Sequence, residues 1–248
     1  MERHFKDVNV HYFDFQDMIL KELITNFLES LEEKKEKPKE VIPVSMDWYA
    51  QELSKTLDSL EEDFGWTFYK YQRTWLFDFA KFKSCAKSRQ IGMTLTNAFD
   101  AVIRGLFLGV DTLYTSSAAR QYLRAKRYAK NYLKLLQKIY PEIEIIRDNE
   151  SSGELAFTSI GPDSKVRNDY ASIYFIPSND ISNVEGFPGR VFIDELSNIK
   201  NAEELYNSLV PSLGSNPLYD LGCQFRARGK GNLAHRIHEN MKETRFNG

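Results

Sequence analysis

The chain has 248 residues, of which 42% are hydrophobic and 27% charged, with a formal net charge of -2. This length and composition are typical of a soluble globular protein with one large domain, or one domain and an appendage. The net charge excludes an overall positive surface that would attract nucleic acid, so any DNA contact would use local basic patches. The two cysteines, Cys85 and Cys223, exclude a disulfide framework and a CxxC zinc site, and no apolar run approaches membrane-spanning length.

The first 45 residues predict a helical appendage. Residues 15–33, FQDMILKELITNFLESLEE, carry apolar side chains at helical spacing and lead into the charged, proline-containing KKEKPKE. A peripheral amphipathic helix and a helix that docks a partner both fit this pattern. We therefore expect residues 1–45 to form a helical appendage with its linker, and residues 46–248 to form the main domain.

Two helices are predicted at the start of the main domain. The first runs from about Trp48 to Leu60 and is broken by EEDFGW. The second is the aromatic-rich YQRTWLFDFAKF, residues 71–82, which we expect to pack on the core.

From Lys83 onward, short β-branched or aromatic runs alternate with helical patterns. The predicted strands are DTLYTSS (111–117), GELAFTS (153–159), SIYFIPS (172–178) and RVFIDE (190–195). The predicted helices are LTNAFDAVIRGLFLG (95–109) and ARQYLRAKRYAKNYLKLLQKIY (119–140). This alternation predicts an α/β fold with a mostly parallel sheet, in which ELAFTS and its neighbours can form an antiparallel insertion.

The segment KSRQIGMT, residues 87–94, resembles a phosphate-binding loop of the form G-x-x-x-x-G-K-[ST]. Gly92 and Thr94 match the pattern, whereas Lys87 replaces the first glycine and Met93 replaces the lysine. Because such a loop curls around the phosphate, its two ends lie close together, and a lysine at position 87 could reach the same phosphate oxygens. The alternative is a chance match in a surface turn.

Two adjacent carboxylates follow a short apolar strand about a hundred residues later, in GFPGRVFIDELSNIKNAEEL (186–205). Asp194 and Glu195 end the strand at the edge of the sheet where α/β proteins bind ligands. The pattern is that of a Walker B motif, in which Asp194 would hold Mg²⁺ and Glu195 would orient the attacking water. The alternative is a strand that leads into a helix whose N-terminal region favours acidic residues.

A third element precedes the loop. The side-chain amide of Gln72, in the pair Tyr71-Gln72, both donates and accepts hydrogen bonds and could read the edge of an adenine. In isolation, Gln72 would be an ordinary exposed helix residue. Its position some fifteen residues before the loop fits a Q-motif.

Together these segments resemble the large terminase subunits, the DNA-packaging motors of tailed bacteriophages and their prophages. The resemblance covers residues 71–240 and rests on YQ, KSRQIGMT, TSSAARQ, FIPSNDISNVEGFPGRVFIDELSNIKNAEELYNSLVPSL and RARGKGN. It implies an ASCE-type P-loop ATPase fold, and large terminases include variants with the lysine at the start of the loop. The family's C-terminal ribonuclease-H-like nuclease domain has no counterpart in the sequence, so we expect an isolated ATPase domain or the product of a split gene, without nuclease activity.

The resemblance also assigns roles to individual residues. The implied catalytic residues are Lys87 and Glu195, and the implied Mg²⁺ ligands are Thr94 and Asp194. The implied ATP-binding residues are Tyr71, Gln72, Ser88, Arg89, Gln90, Ile91, Gly92, Met93 and Thr94. The implied coupling segment comprises Arg228, Gly229, Lys230, Gly231 and Asn232.

The sequence departs from the family pattern at two places. Relatives often carry an arginine just before the GF pair, where this chain has Glu185, so Arg190 and Arg120 become the candidates for the trans-acting arginine finger. The coupling motif usually offers Ser or Thr before the glycine-rich residues, where this chain has Phe225, Arg226 and Ala227.

The resemblance implies a motor that hydrolyses ATP with Mg²⁺ to drive double-stranded DNA into a procapsid, without sequence preference. Its expected partners are DNA, the portal protein, the small terminase subunit and further copies of the chain in a ring, with no membrane. The expected location is the host bacterial cytoplasm and, transiently, the portal vertex. The basic stretches RQYLRAKRYAKNYLKLLQK (120–138) and RARGKG (226–231) could contact DNA phosphates or be merely solvated. The alternatives are a silent P-loop module that docks to portal or small terminase, and another P-loop translocase or helicase-like ATPase.

Overall fold

The computed structural model describes residues 45–88, 90–162, 166–179, 186–226, 228–229 and 231–246, with the backbone alone at 167–169 and 241–246. The predicted N-terminal helix and its linker lie outside the described residues, as do Arg89, Glu185, Ala227 and Lys230. Among the described residues, none of the helices combines the length and the apolar character that a membrane span requires.

Helices and strands alternate along the described part of the chain. The helices are α1 (Met46–Phe64), α2 (Lys70–Leu76), α3 (Met93–Leu108), α4 (Ala119–Leu136), α5 (Ala202–Leu209) and α6 (Leu233–Phe246), with 3-10 turns at Leu196–Asn198 and Val210–Ser215. The strands are β1 (Phe82–Ala86), β2 (Thr112–Ser116), β3 (Ile145–Asp148), β4 (Glu154–Ile160), β5 (Val166–Pro177), β6 (Arg190–Asp194) and β7 (Leu221–Phe225).

The described strands form one seven-stranded sheet in the order β1-β7-β6-β2-β5-β4-β3. The five strands from β1 to β5 in this order pair in parallel, and β4 pairs antiparallel with both β5 and β3. This arrangement confirms the predicted α/β fold and the antiparallel insertion around ELAFTS. Strand β7 lies between β6 and β1, the strand that leads into the predicted phosphate-binding loop.

The helices at the start of the domain differ in length from the prediction. Helix α1 is longer, because the Ser45 hydroxyl caps its first turn and Gly65, with φ of 63°, ends it. Helix α2 is shorter and ends at Leu76, so the predicted helix over residues 71–82 was wrong in its second half. There the Asp78 carboxylate accepts from the backbone N–H of Ala80 at 3.0 Å, and Phe82 already pairs with β7.

Two hydrophobic clusters cover the two faces of the sheet. On one face, α3 is buried along almost its whole length between the sheet, α1 and α4. Gly105 permits this close approach, because a Cβ atom there would lie 2.7 Å from the Phe157 ring. On the other face, α5 and α6 pack against Val191 and Ile193 of β6. The domain is therefore a three-layer α/β sandwich.

A buried ionic cluster lies at the amino ends of β1, β6 and β7. It consists of Lys83, Asp100, Arg104, Arg190 and Asp220. Burial alone would raise the pKa values of Asp100 and Asp220, but the surrounding cations outweigh it and lower them. Burial lowers the pKa of Lys83 to about 8 even though Asp100 opposes the shift.

Candidate nucleotide-binding site

The predicted phosphate-binding loop lies at the carboxyl ends of the parallel strands. It leaves β1 after Ala86 and enters α3 at Met93, and the backbone N–H of Lys87 donates to the carbonyl of Phe225 at the end of β7 (2.9 Å). The N-terminus of α3 therefore points its free backbone N–H groups toward the loop. A helix N-terminus in this position is suited to bind an anion.

Gly92 is required by the geometry of this turn. It precedes α3 with φ of 74°, in the left-handed region that disfavours residues with a Cβ atom. A Cβ atom at position 92 would also lie 2.8 Å from Nε2 of Gln72. Both the backbone angle and the space at this position thus explain the glycine.

Lys87 points into the site predicted for it. Its Nζ lies 3.4 Å from Oδ1 of Asp194 and 3.6 Å from Oε1 of Glu195. Met93, which replaces the usual lysine, is 2% exposed and packs in the core. The cation near the two carboxylates therefore comes from the start of the loop, and its contact with phosphate stays a prediction.

The carboxylate of Asp194 is held by three neutral donors. Thr94 Oγ1 and Tyr114 OH donate to Oδ2 at 3.2 and 3.0 Å, and Gln224 Nε2 donates to Oδ1 at 2.5 Å. Asn97 in turn donates to Oε1 of Gln224 at 3.2 Å. Burial, and then Asp194, raise the pKa of Tyr114 well above its usual range, so the phenol remains a donor.

Thr94 and Asp194 could together hold Mg²⁺. A hydroxyl and a carboxylate are the hard oxygen ligands that this ion takes, and the two side chains already meet at 3.2 Å. The donors Tyr114, Gln224 and Asn97 were missed in the sequence analysis. Their only sequence signal is a polar side chain in an otherwise buried strand or helix.

Glu195 has a strained backbone, and its carboxylate contacts several side chains. Its φ of 56° places it in the left-handed region, which is uncommon for a non-glycine residue and characteristic of functional sites. The guanidinium Nε of Arg226 lies 3.2 and 3.1 Å from the two carboxylate oxygens. Asn198 Nδ2 donates to Oε2 at 3.4 Å. The sequence analysis found Arg226 as a departure from the coupling motif and as part of a basic stretch, and not as a partner of Glu195.

Tyr71 and Gln72 of α2 hold the loop through hydrogen bonds to its backbone. Tyr71 OH and Gln72 Nε2 donate to the carbonyl of Ile91 at 2.5 and 3.4 Å, and Gln72 Oε1 accepts from the backbone N–H of Tyr69 at 2.9 Å. Gln72 is 4% exposed, not the exposed helix residue of the alternative. Its amide is thus engaged with protein, and its contact with adenine stays a prediction.

An open cavity of about 570 Å³ lies over the loop, a volume typical of ligand sites. Its lining residues come from the loop, from one face of α4 and from the ends of β6 and β7: Lys87, Ser88, Gln90, Ile91, Gly92, Met93, Thr94, Leu95, Arg120, Gln121, Arg124, Tyr128, Glu195 and Arg226. Among the residues that the structure describes, the lining holds one lysine and three arginines, which suits a polyanionic ligand.

The two candidates for the arginine finger occupy different environments. Arg190 is buried in the ionic cluster, where it pairs with Asp100 and Asp220 at 2.9 and 2.6 Å. A finger must reach a neighbouring subunit, so we correct the interpretation of Arg190: it is a structural residue. Arg120 is exposed and lines this chain's own cavity, and its role as a finger stays a prediction.

The predicted coupling segment connects the site to α6. Gly229 and Gly231 have φ of 79° and 89°. Asn232 accepts from the backbone N–H of His235 at 2.9 Å and donates to the carbonyl of Arg228 at 3.1 Å. These bonds make Asn232 the cap of α6, while the segment's role in coupling stays a prediction.

Comparison with solved structures agrees with the fold. The chain is similar to two structures of the large terminase ATPase domain of Thermus phage P74-26, with TM-scores of 0.59 and 0.58, 16% and 15% identity, and coverage of 72% and 73% of this chain and 72% of each of those. It is also similar to the large terminase of bacteriophage HK97, with a TM-score of 0.54, 10% identity, and coverage of 73% of this chain and 38% of that one. No protein-family model and no curated protein matches the chain. At these identities the likeness establishes a shared fold.

Proposed function

We propose that this domain is an Mg²⁺-dependent ATPase. The observation that carries the proposal is the meeting of Lys87, Thr94, Asp194 and Glu195 at the N-terminus of α3, where Lys87, Thr94 and Glu195 line one cavity. Residues about a hundred positions apart along the chain thereby supply a cation, a hydroxyl and two carboxylates at a site built for an anion.

In this mechanism the chain's own residues bind and orient the nucleotide. The loop N–H groups and Lys87 hold the phosphates, while Thr94 and Asp194 would hold Mg²⁺, which neutralises developing phosphate charge. Glu195 lies beside Lys87 and orients the attacking water, taking its proton. Tyr114 and Gln224 keep the Asp194 carboxylate fixed, so little reorganisation is needed when charge develops.

We further propose that the ATPase belongs to a viral DNA-packaging motor. Two findings support this: the motif resemblance to large terminase subunits over residues 71–240, and the fold shared with the P74-26 and HK97 terminases. The motor would act on double-stranded DNA as a ring of identical chains, docked with the portal protein and the small terminase subunit at the portal vertex in the host cytoplasm. DNA would be held through its phosphates and not through its bases.

The test is nucleotide binding and hydrolysis by the wild-type chain, by Lys87→Ala and by Lys55→Ala as control. Lys55 is an exposed lysine that pairs with Glu52 on α1, away from the cavity. Calorimetry would measure the Kd of a slowly hydrolysed ATP analogue with Mg²⁺, and phosphate release would be followed with and without linear double-stranded DNA.

The wild-type protein and Lys55→Ala should bind alike, while Lys87→Ala should bind at least tenfold more weakly, because a direct charge-assisted contact to phosphate is lost. DNA should raise the rate of phosphate release in the first two proteins only. Equal binding by all three proteins would contradict the role of Lys87. No binding by the wild-type chain would instead support a module without nucleotide.

A further inference from the structure

A second cavity, of about 480 Å³, lies at the carboxyl edge of the sheet beside the nucleotide site. Its lining residues follow the ends of β2, β5 and β6, and this is the edge at which open α/β sheets bind ligands. Apart from Ile199, the lining residues that the structure describes carry hydroxyl, amide or amino groups: Ser117, Ser178, Asn179, Asn198, Lys200 and Asn201. Among these described residues, only Lys200 is charged.

Two sets of hydrogen bonds connect the second cavity with the cavity above the loop. Asn198 lines the second cavity and donates from Nδ2 to Oε2 of Glu195, which lines the first, at 3.4 Å. Ser116 Oγ donates to Oε1 of Gln121, another lining residue of the first cavity, at 2.6 Å. The Ser116 carbonyl accepts from the backbone N–H of Ser178, which lines the second, at 3.1 Å. Residues in direct contact with one another thus line the two cavities.

The chemistry of the second cavity suits a small anion that is held loosely. Hydroxyl and amide groups both donate and accept hydrogen bonds, so they can bind the oxygens and the hydroxyl group of hydrogen phosphate. Lys200 adds a single positive charge, whereas the described lining of the first cavity holds one lysine and three arginines. We therefore expect the first cavity to hold a nucleotide tightly and the second to hold phosphate weakly.

Hydrolysis at the proposed site would form phosphate next to this second cavity. Glu195 takes a proton from the attacking water, whose oxygen bonds to the terminal phosphorus. The bond from that phosphorus to the bridging oxygen breaks, which yields ADP and hydrogen phosphate. ADP keeps its place on the loop, while the phosphate lies on the side of Glu195, the residue that Asn198 contacts.

We propose that the second cavity receives the inorganic phosphate that hydrolysis releases, while ADP still occupies the loop. The phosphate passes between the Glu195–Asn198 contact and the Ser116–Gln121 contact, which together separate the two cavities. Lys200 and the hydroxyl and amide groups then hold it until it leaves for solvent. This inference rests on the proposed ATPase activity.

The first test is a titration of inorganic phosphate into protein saturated with ADP and Mg²⁺, followed by ³¹P NMR. Lys200→Gln should weaken phosphate binding at least about fivefold, because a charge-assisted contact is lost. Lys55→Gln removes an exposed lysine on α1 and should leave the affinity within about twofold. Lys87→Ala should also leave it within about twofold, because ADP and not free phosphate occupies the loop.

The second test compares the chemical step with the release of phosphate. Ser117→Trp places a large side chain at an exposed position in the lining of the second cavity. In a single turnover, acid quench measures all phosphate formed, and a fluorescent phosphate sensor measures free phosphate. Ser117→Trp should slow release at least about fivefold and leave the chemical step within about twofold. Ser152→Trp, in the exposed turn before β4, is the matched control and should change neither rate.

The outcomes separate this inference from the proposed function. If phosphate binding depends on Lys87 and not on Lys200, or if Ser117→Trp slows both steps equally, the second cavity does not receive phosphate, although the ATPase stands. If double-stranded DNA displaces the phosphate from the wild-type protein, the cavity binds the DNA backbone and the inference is wrong. If the wild-type chain binds no nucleotide, the proposed function fails and the inference fails with it. The titration needs no turnover, so it decides the inference for a chain that binds nucleotide without hydrolysing it.

Discussion

Glu195 combines a carboxylate for the chemistry with an unfavourable backbone conformation. Its φ of 56° and ψ of 45° lie in the left-handed region, where a side chain with a Cβ atom costs about 1–2 kcal/mol. The 3-10 turn that starts at Leu196 and the contacts of the side chain hold it there. This placement aims the carboxylate at Lys87 and the cavity, and the strain is local to one residue.

The strain at position 195 predicts that glycine is a more stable replacement for Glu195 than alanine, the reverse of the usual order. Glu195→Ala and Glu195→Gly both remove every side-chain contact, so their difference isolates the backbone. We expect Glu195→Gly to have the higher free energy of unfolding, by about 1 kcal/mol, because glycine adopts positive φ without a steric penalty. Urea unfolding of the two variants measures this difference. A more stable alanine variant would contradict the left-handed conformation.

The carboxylate of Asp194 is held in place by hydrogen bonds from neutral side chains. Thr94, Tyr114 and Gln224 all donate to its carboxylate, so the protein's own side chains satisfy much of the buried charge. Glu195, by contrast, pairs with the Arg226 guanidinium and accepts from one amide, while Lys87 lies beside both carboxylates. The two adjacent carboxylates therefore differ in their surroundings, as their different proposed roles require.

At the scale of elements, the site depends on how β1 turns into α3. The loop is supported from β7 by the bond between Lys87 N–H and the Phe225 carbonyl, and from α2 by Tyr71 and Gln72. Gly92 lies where the loop meets α2, with its Cα against the Gln72 amide. The position of the α3 N-terminus is thus determined by two neighbouring elements and one glycine.

Gly92→Ala should damage both stability and binding. The new methyl group meets Gln72 Nε2 at 2.8 Å and the backbone holds φ of 74°, so we expect a loss of about 1–3 kcal/mol in the free energy of unfolding. Because the loop must shift to relieve the contact, affinity for an ATP analogue should also fall at least tenfold. Denaturant unfolding and calorimetry measure the two effects.

Gly214→Ala is the matched control for this substitution. Gly214 lies in the Val210–Ser215 turn, and a Cβ atom there would meet nothing within 4 Å. Its free energy of unfolding should stay within about 0.5 kcal/mol of the wild-type value. Equal effects of the two substitutions would show that the Gly92 turn relaxes freely.

At the scale of the whole molecule, the buried ionic cluster joins elements that are distant in sequence. Asp220 precedes β7, and it accepts from Arg190 of β6 at 2.6 Å and pairs with Arg104 of α3 at 3.2 Å. The cluster lies at the amino ends of the strands and the candidate site at their carboxyl ends. The ionic cluster and the candidate site therefore connect the same strands, β1, β6 and β7, at opposite ends.

Asp220→Asn should destabilise the whole domain. The cluster holds three cations and two carboxylates, and the substitution leaves Arg190 and Arg104 with one carboxylate between them in a buried site. Breaking a buried pair in this way costs about 3–5 kcal/mol. Denaturant unfolding at neutral pH measures the loss.

Glu203→Gln provides the comparison for Asp220→Asn, since it makes the same chemical change in the exposed pair with Arg236. That substitution should cost less than about 1 kcal/mol. A similar cost for both substitutions would mean that the buried cluster contributes no more than a surface pair.

Much of the fold was predictable because its signals are local. Periodicity and turn residues predicted α3, α4 and the strands β2, β4 and β6 close to their observed bounds, whereas β5 begins at Val166, six residues before its predicted start. The end of α2 was not predictable in this way, because YQRTWLFDFAKF keeps a helical pattern up to a residue that pairs with β7 instead. A tertiary contact decided that boundary.

By itself, the sequence determined the positions of the predicted phosphate-binding loop and of the two carboxylates, since each motif is a short run of residue types at the end of a strand. Only the tertiary structure decided which side chains meet them. Tyr114, Gln224 and Arg226 reach the carboxylates because β2 and β7 flank β6, and this strand order is not encoded in any local pattern. A second feature, the end of the strand at which each residue lies, separates Arg190 from Lys87. Both are basic residues at the end of a strand, but Arg190 lies at the amino end of β6 among buried carboxylates, whereas Lys87 follows the carboxyl end of β1, where the parallel strands open onto the cavity.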